Sequence, residues 1–291
     1  MTAAAASAPA GATGNPRNAF TVDLEDWFHI CGVPALGFER WAALPSRVEP
    51  TTRWLLETLD ATGVRATFFI VGWIARRFPR LIEEVRRAGH EIGSHGYRHQ
   101  RVYELDQDAF RQDLRASVRA LQDAGVESVK LFRAPEWSVN DRSLWALDIL
   151  VEEGFQLDAS MAPLPIVGSR RFPRAPHVRQ TAGGSIVEVP PLVRDRFGQV
   201  MPAGWGWGLR MSSVRTTLDT IERTNRLGAF AVLTVHPWEV DPDPPSVRLP
   251  ARLRFAHYFR LDGFAGRLRA ILSAGRFAPI GSAIPASWTR P

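Results

Sequence analysis

Short apolar runs alternate with longer amphipathic stretches from Ala19 to the end of the chain. Ala19–Asp23 reads as a buried strand that leads into carboxylates. Thr51–Thr62 carries Trp54, Leu55 and Leu59 at helical spacing and stops at Gly63. Arg65–Val71 predicts a second strand. Ile74–Ala88 predicts a helix closed by Gly89, where glycine accepts the left-handed cap conformation. His90–Gly93 reads as a brief third strand. A helix over Gln107–Ala124 ends at Gly125, a strand follows at Val129–Phe132, and a helix over Asp141–Glu153 ends at Gly154. Phe155–Leu157, Ser185–Val189 and Ala229–Val235 are further strand candidates, with helices over Ser213–Leu227 and Gly263–Ala274. The stretch Ala162–Gln180 is rich in Pro and Arg and reads as an insertion or long loop. Repeated alternation of this kind predicts an α/β fold with a parallel sheet and crossover helices. A (β/α) barrel and an open doubly wound sheet both carry their sites just after strands, which is where every chemically interesting motif of this chain falls.

Two such motifs suggest a metal. Glu91-Ile92-Gly93-Ser94-His95-Gly96-Tyr97-Arg98-His99 sets two histidines four residues apart. On a helical turn that spacing brings side chains within about 5–6 Å, so both imidazoles would reach one divalent cation. Phe20-Thr21-Val22-Asp23-Leu24-Glu25-Asp26 runs from an apolar strand into three carboxylates. Two histidines and a carboxylate with one position left open describe a catalytic site of zinc type.

Composition narrows the alternatives. Hydrophobic residues make up 45% and charged residues 23%, ordinary for a globular protein with a sizeable core. The one cysteine, Cys31, rules out an internal disulfide and any multi-cysteine zinc site, and fits a reducing compartment. A formal charge of +6 would suit a polyanion. Its arginines, such as Arg76, Arg77, Arg86, Arg87, Arg111, Arg115 and Arg119, are scattered as on solvated helix faces, so no nucleic-acid partner is expected. Residues 1–18 are small and Ala/Pro/Gly-rich, without a basic leader or apolar block. They read as a disordered tail, and the expected localisation is cytoplasmic. No segment approaches the ~20 apolar residues of a membrane span.

Five motifs that follow strands together resemble the polysaccharide deacetylase family, the NodB-like carbohydrate esterases. The resemblance covers roughly residues 19–240. In the finer pattern of Thr-Val-Asp-Leu-Glu-Asp-Trp-Phe-His, Gly-Ser-His-Gly-Tyr-Arg-His, Phe-Arg-Ala-Pro-Glu-Trp-Ser and His-Pro-Trp-Glu-Val-Asp-Pro, it is similar to exosortase-associated deacetylases of exopolysaccharide loci. The resemblance implies a distorted (β/α) barrel forming one catalytic domain over 19–291, with a C-terminal extension from about 241. It also implies roles. Asp23 matches the catalytic base, and a carboxylate shortly after it matches a metal ligand. The family's adjacent Asp-Asp is absent here. Asp26, at the strand's end, is the expected ligand, with Glu25 as the alternative because it shares a strand face with Asp23. His95 and His99 match the other ligands, and Gly96 stands where a Ser or Thr is usual. Arg133 matches an arginine that holds the base. Glu136 occupies the position whose backbone N–H meets the oxyanion, followed by Trp137 in place of a small residue. Asp158, in Gly154-Phe155-Gln156-Leu157-Asp158-Ala159-Ser160, matches the element that orients the late histidine or serves as a structural cap. His236 matches the general acid.

Aromatic residues gather near these motifs. Trp27, Trp137, Trp205, Trp207 and Trp238, with glycines flanking the indoles in Gly204–Arg210, suggest a saccharide cleft. Trp54 and Trp145 read as core. The expected activity is metal-dependent removal of acetyl groups from N-acetylated amino sugars of an exopolysaccharide. Zinc is the expected cation, although imidazole and carboxylate ligands also suit iron, cobalt or nickel. Two rivals stand beside it: an amidohydrolase of the same fold acting on a small amide, and a non-catalytic glycan-binding module.

Overall fold

A computed structural model describes residues 18–288. Its first strand, β1 (Asn18–Leu24), is buried along its whole length. The residues alternate between two apolar surroundings, as a pleated strand requires. Phe20, Val22 and Leu24 pack into the large core shared with the helices. Ala19 instead meets Phe69, Leu157, Val187 and Val232 from other strands, inside the sheet's curve.

After β1 the chain forms α1 (Val48–Ala61), β2 (Thr67–Ile70), α2 (Gly72–Arg77), α3 (Pro79–Arg87), β3 (Glu91–Ser94), α4 (Gln107–Asp123), β4 (Leu131–Phe132), α5 (Trp145–Glu152) and β5 (Leu157–Asp158). The second half adds β6 (His177–Thr181), β7 (Gly184–Glu188), β8 (Val193–Arg196), β9 (Gln199–Pro202), α6 (Gly206–Met211), α7 (Val214–Arg226) and β10 (Val232–Val235). It closes with α8 (Ala251–Tyr258), α9 (Phe264–Ala274), β11 (Phe277–Ala278) and α10 (Ile280–Ala283). The main sheet runs β10-β1-β2-β3-β4-β5-β7-β6, with β11 added beside the start of β1. Every pairing along it is parallel except β6 with β7. Among the described residues no ladder joins β6 back to β10, so the molecule is a distorted (β/α) barrel with an open seam. The short antiparallel hairpin β8–β9 stands apart from the main sheet.

Most predicted elements form, with ends shifted by a few residues. Two expectations change. The helix expected over Ile74–Ala88 is two helices, because Pro79 has no N–H to continue α2 and Phe78 takes a non-helical backbone (φ −128°, ψ 58°). The expected loop Ala162–Gln180 ends in β6, whose sequence His-Val-Arg-Gln-Thr has no apolar run and is drawn into the sheet by backbone pairing with β7. β8 (Val-Arg-Asp-Arg) is equally polar, and β9 (Gln-Val-Met-Pro) is a short run that ends on a proline. The tail expected over residues 1–18 lies outside the described residues save Asn18, which begins β1. No described helix is long and apolar enough to cross a membrane.

Candidate active site

The alternation of β1 continues one step past its end. Thr21 and Asp23 face the barrel interior, and Glu25 follows on the same side. Glu25 Oε1 lies 3.0 Å from His95 Nε2 and 2.9 Å from His99 Nε2, and all three residues are buried. His95 sits just past β3, and its Nδ1 donates to the Arg133 carbonyl at 2.7 Å. That bond fixes the ring so that its Nε2 faces Glu25. Burial alone would raise the Glu25 pKa. The charges of His99 and His236 and the hydrogen bonds from His95 and His99 outweigh it, and the carboxyl is held well below its usual range. For His99, burial favours the neutral ring, but the Glu25 charge prevails and lifts its pKa well above the ordinary value. A buried carboxylate with two converging imidazole nitrogens, all within 4.8 Å of one another, is a donor set that fits a divalent cation.

Asp26 does not join this group. The next residue along an extended chain turns to the opposite side, and its carboxylate meets the start of α1 there. It accepts from the Trp27 N–H at 2.9 Å, from the Arg47 N–H at 3.1 Å and from the Ser46 hydroxyl. Of the two carboxylates weighed as a ligand, it is the alternative, Glu25, and not Asp26, that lies beside the two histidines.

The histidine spacing also works differently from the helical turn expected. His95 to His99 is a loop in which Gly96 (φ 71°) and His99 (φ 49°) are left-handed. Asp113 on α4 accepts from the N–H groups of Tyr97 (2.7 Å) and Arg98 (2.9 Å), and a Cβ on residue 96 would lie 2.9 Å from its Oδ2. Glycine at 96 therefore suits both the backbone and the carboxylate that anchors the loop. Cys31 supports His99 from behind, its thiol donating to the His99 carbonyl at 3.1 Å.

Two further pairs flank the cluster. Arg133, just past β4, is fully buried and donates from Nη1 to Asp23 Oδ1 at 2.6 Å and to Thr21 Oγ1 at 2.8 Å. Its guanidinium lies over the Phe69 ring at 4.3 Å, so both partners of this ion pair are held rigidly. His236 at the end of β10 directs Nε2 toward Asp23 Oδ2 (3.9 Å) and Glu25 Oε1 (3.8 Å). Its Nδ1 bonds Glu239 Oε2 at 3.0 Å. Glu239 in turn forms an ion pair at 2.8 Å with Arg210 of α6, both side chains wholly buried. Burial lowers the His236 pKa, but the Glu25 charge and the Glu239 bond outweigh it and bring it to about 9.

Glu239 and Arg210 are the functional candidates that sequence reasoning missed. The signal was in plain view, a carboxylate three residues after His236 within His-Pro-Trp-Glu. The expected orienting residue, Asp158, reaches neither His236 nor Asp23. It accepts from Ser160 Oγ, which itself accepts from the Ala134 N–H at 2.7 Å, and it faces Glu188. Burial raises the pKa of both acids, most strongly that of Glu188. Asp158 thus supports the segment after Arg133 from behind, which is the capping alternative.

The indoles are placed differently from an exposed sugar platform. Trp27 is buried and donates to the Pro45 carbonyl at 2.9 Å. Trp137 and Trp205 pack on each other at 4.8 Å. Trp238 is stacked between His236 (5.1 Å) and His257 (4.1 Å), where it braces the late histidine. Only Trp207 of these is half-exposed, beside the exposed Phe255. Glu136 and Trp137 are both left-handed (φ 53° and 51°), and the Glu136 carboxylate is taken by Arg101 at 2.6 Å. The Glu136 backbone N–H has no acceptor among the described residues. A cleft of about 280 Å³ opens beside His99, walled by Cys31, Phe38 and Trp41.

Comparison with known proteins follows the same division of the chain. Residues 35–151, which hold His95, His99 and Arg133, match the model of the polysaccharide deacetylase family. Residues 159–284, which hold Arg210, His236 and Glu239, match a domain of unknown function, DUF3473. A peptidoglycan-N-acetylglucosamine deacetylase of Bacillus cereus is 28% identical over 95 residues, 32% of this chain and 34% of that protein. Chitin deacetylase 1 of Saccharomyces cerevisiae is 29% identical over 93 residues, 32% of this chain and 30% of that protein. The chain thus aligns with about a third of the length of these relatives. A solved structure from Mycobacterium smegmatis, assigned as a polysaccharide deacetylase, shares the fold with a TM-score of 0.60 at 21% identity, covering 95% of this chain and 92% of that one. The polysaccharide deacetylase model thus matches residues 35–151 of the chain, and these relatives are similar to it over about a third of its length.

Proposed function

We propose that this protein is a metal-dependent deacetylase that hydrolyses the acetamido groups of N-acetylated amino sugars in an exopolysaccharide. The observation that carries this reading is the meeting, within one buried cluster, of Glu25, His95 and His99 with the Asp23–Arg133 and His236–Glu239 pairs. Glu25, His95 and His99 would hold a divalent cation, zinc by the character of the donors. When bound, that cation supplies Lewis acidity to an acyl oxygen and acidifies a water.

The protein's own groups then divide the proton work. Asp23, held by Arg133, accepts the proton of the attacking water. The unpaired Glu136 N–H donates to the oxygen on which negative charge develops. His236 delivers a proton from Nε2 to the leaving nitrogen, while Glu239 holds Nδ1 and so keeps the ring in one orientation. The base and acid are neighbours beside the Glu25–histidine group, His236 Nε2 lying 3.9 Å from Asp23 Oδ2, so both border the place where an acyl group would be held. Trp207, half-exposed, is the indole that remains available to a sugar face.

The test is acetate release from chitin oligosaccharides and from poly-N-acetylglucosamine, measured on chelated protein and again after zinc is restored. Acetate release that depends on the metal and is lost in Asp23→Asn supports the proposal. Stoichiometric zinc with no acetate released from any N-acetylated glycan would overturn it.

A further inference from the structure

A groove of about 690 Å³ lies away from the histidine cluster. It lies at the seam where the sheet fails to close. One wall comes from Arg174 and Ala175 just before β6, another from β8, and the third from α7 and the turn into β10. The whole groove falls in the segment that matches a domain of unknown function.

Its charge is unbalanced in a specific way. Two carboxylates line it, and each faces an arginine already: Asp195 is paired with Arg174 at 2.7 Å, and Asp219 with Arg215 at 3.9 Å. Three more lining arginines, Arg194, Arg196 and Arg223, have no carboxylate partner among the described residues. Residues 1–17 and 289–291 contain no Asp or Glu side chain that would serve. The Arg194 Nε is out of contact with solvent and has no acceptor. An orphaned guanidinium donor of this kind is costly unless an anion meets it.

The rest of the lining narrows the class of anion. Ser212, Ser213, Thr216 and Thr220 line it around the start of α7, their hydroxyls bonded within the chain with acceptor lone pairs left over, and Leu192 and Met211 offer apolar surface between them. Hydroxyls interleaved with small apolar faces match the two surfaces of a sugar ring. No aromatic side chain lines the groove, so the stacking platforms that single-stranded nucleic acids use are missing. A volume near 690 Å³ falls within the usual range of ligand clefts, about 300–1,000 Å³. We infer that this seam groove binds a carboxylate-bearing oligosaccharide segment, with Arg194, Arg196 and Arg223 as its anion contacts. The inference concerns binding alone and holds whether or not the histidine cluster hydrolyses an amide.

The experiment is calorimetric titration of the full chain with tetragalacturonate and with neutral maltotetraose, at low and at moderate salt. Tetragalacturonate should bind about tenfold or more tightly than maltotetraose, and less tightly as salt rises. Combining Arg194→Ser, Arg196→Ser and Arg223→Ser should remove that preference. Thr220→Glu, which adds a carboxylate to a half-buried helical position of the wall, should weaken binding with the arginines intact. His95→Ala should leave the titration unchanged, so failure of the proposed hydrolysis and failure of this site are read separately. Equal binding of the acidic and neutral oligosaccharides would overturn the inference, and so would acidic binding that survives the triple substitution. Tighter binding of an oligothymidylate through the same arginines would also overturn it, in favour of a nucleic-acid site.

Discussion

Exchanging the two adjacent carboxylates tests the site's geometry most sharply. Glu25 and Asp26 differ by one position and so by one strand face. Glu25→Gln removes a charge that lies 2.9–3.0 Å from two imidazole nitrogens inside the barrel. The neutral amide would leave at most one weak oxygen donor where the cation needs a carboxylate, and metal should be lost from purified protein. Asp26→Asn should behave in the opposite manner. Its carboxylate accepts two backbone N–H groups and the Ser46 hydroxyl at the start of α1. Asparagine keeps one acceptor oxygen and turns the other into a donor facing an N–H. Losing one or two such bonds at a helix start costs about 1–2 kcal/mol. For a chain of this size that lowers Tm by roughly 2–6 °C. The assays are zinc content by elemental analysis and thermal unfolding followed by circular dichroism. The expected pattern is metal-free but stable Glu25→Gln, and metal-loaded but less stable Asp26→Asn. Full zinc in Glu25→Gln together with loss in Asp26→Asn would refute the parity argument outright.

Other predictions concern residues that act through their neighbours. Glu239→Gln should cut acetate release by about 10²–10⁴-fold if the His236 proton transfer depends on it, with zinc content unchanged and aryl acetate hydrolysis, whose leaving group needs no proton, much less affected; equal losses on both substrates would make Glu239 merely structural. Gly96→Ala should lower both metal affinity and Tm, by about 1–3 kcal/mol in stability, because the added methyl meets the Asp113 carboxylate in a left-handed backbone; an unchanged Tm would show that the loop shifts freely. His90 accepts the Ala66 N–H at 3.1 Å, and burial with the Arg65 charge brings its pKa down to about 4. A ring that resists protonation when folded but not when unfolded stabilises the fold fully above about pH 6.5, and that contribution fades as pH falls toward 4, by at most about 3 kcal/mol. His90→Gln should therefore flatten the Tm-against-pH curve over that interval, and an unchanged slope would count against it.

Much of this site was legible before any coordinates. The apolar alternation of β1 predicted a strand that delivers Asp23 and its following carboxylates to a sheet's end, and periodicity with glycine stops located most of the helices. The His95–His99 pair stood out by its spacing, and Arg133 and His236 by their resemblance to the deacetylase motifs; their place after strands fits a parallel sheet, which puts all such ends on one side. Tertiary structure decided what local pattern leaves open. Parity along β1 offered Glu25 only as the alternative ligand, and the capture of Asp26 by Ser46 and Arg47, about twenty residues on, is what sets the two carboxylates apart. The orienting acid of His236 depends on which carboxylate meets a particular ring nitrogen. Asp158 was the expected residue and Glu239 was not, and packing behind Ser160 for the one and against Arg210 for the other separates them. The tryptophans carry the same lesson. An indole beside glycines reads as a surface platform, yet Trp238 is enclosed by His236 and His257 and Trp137 by Trp205, since burial is a property of everything that packs around a residue. The open seam, and the unpaired arginines in it, arise from strands too polar to announce themselves, whose pairing is made by backbone hydrogen bonds that side-chain patterns do not record.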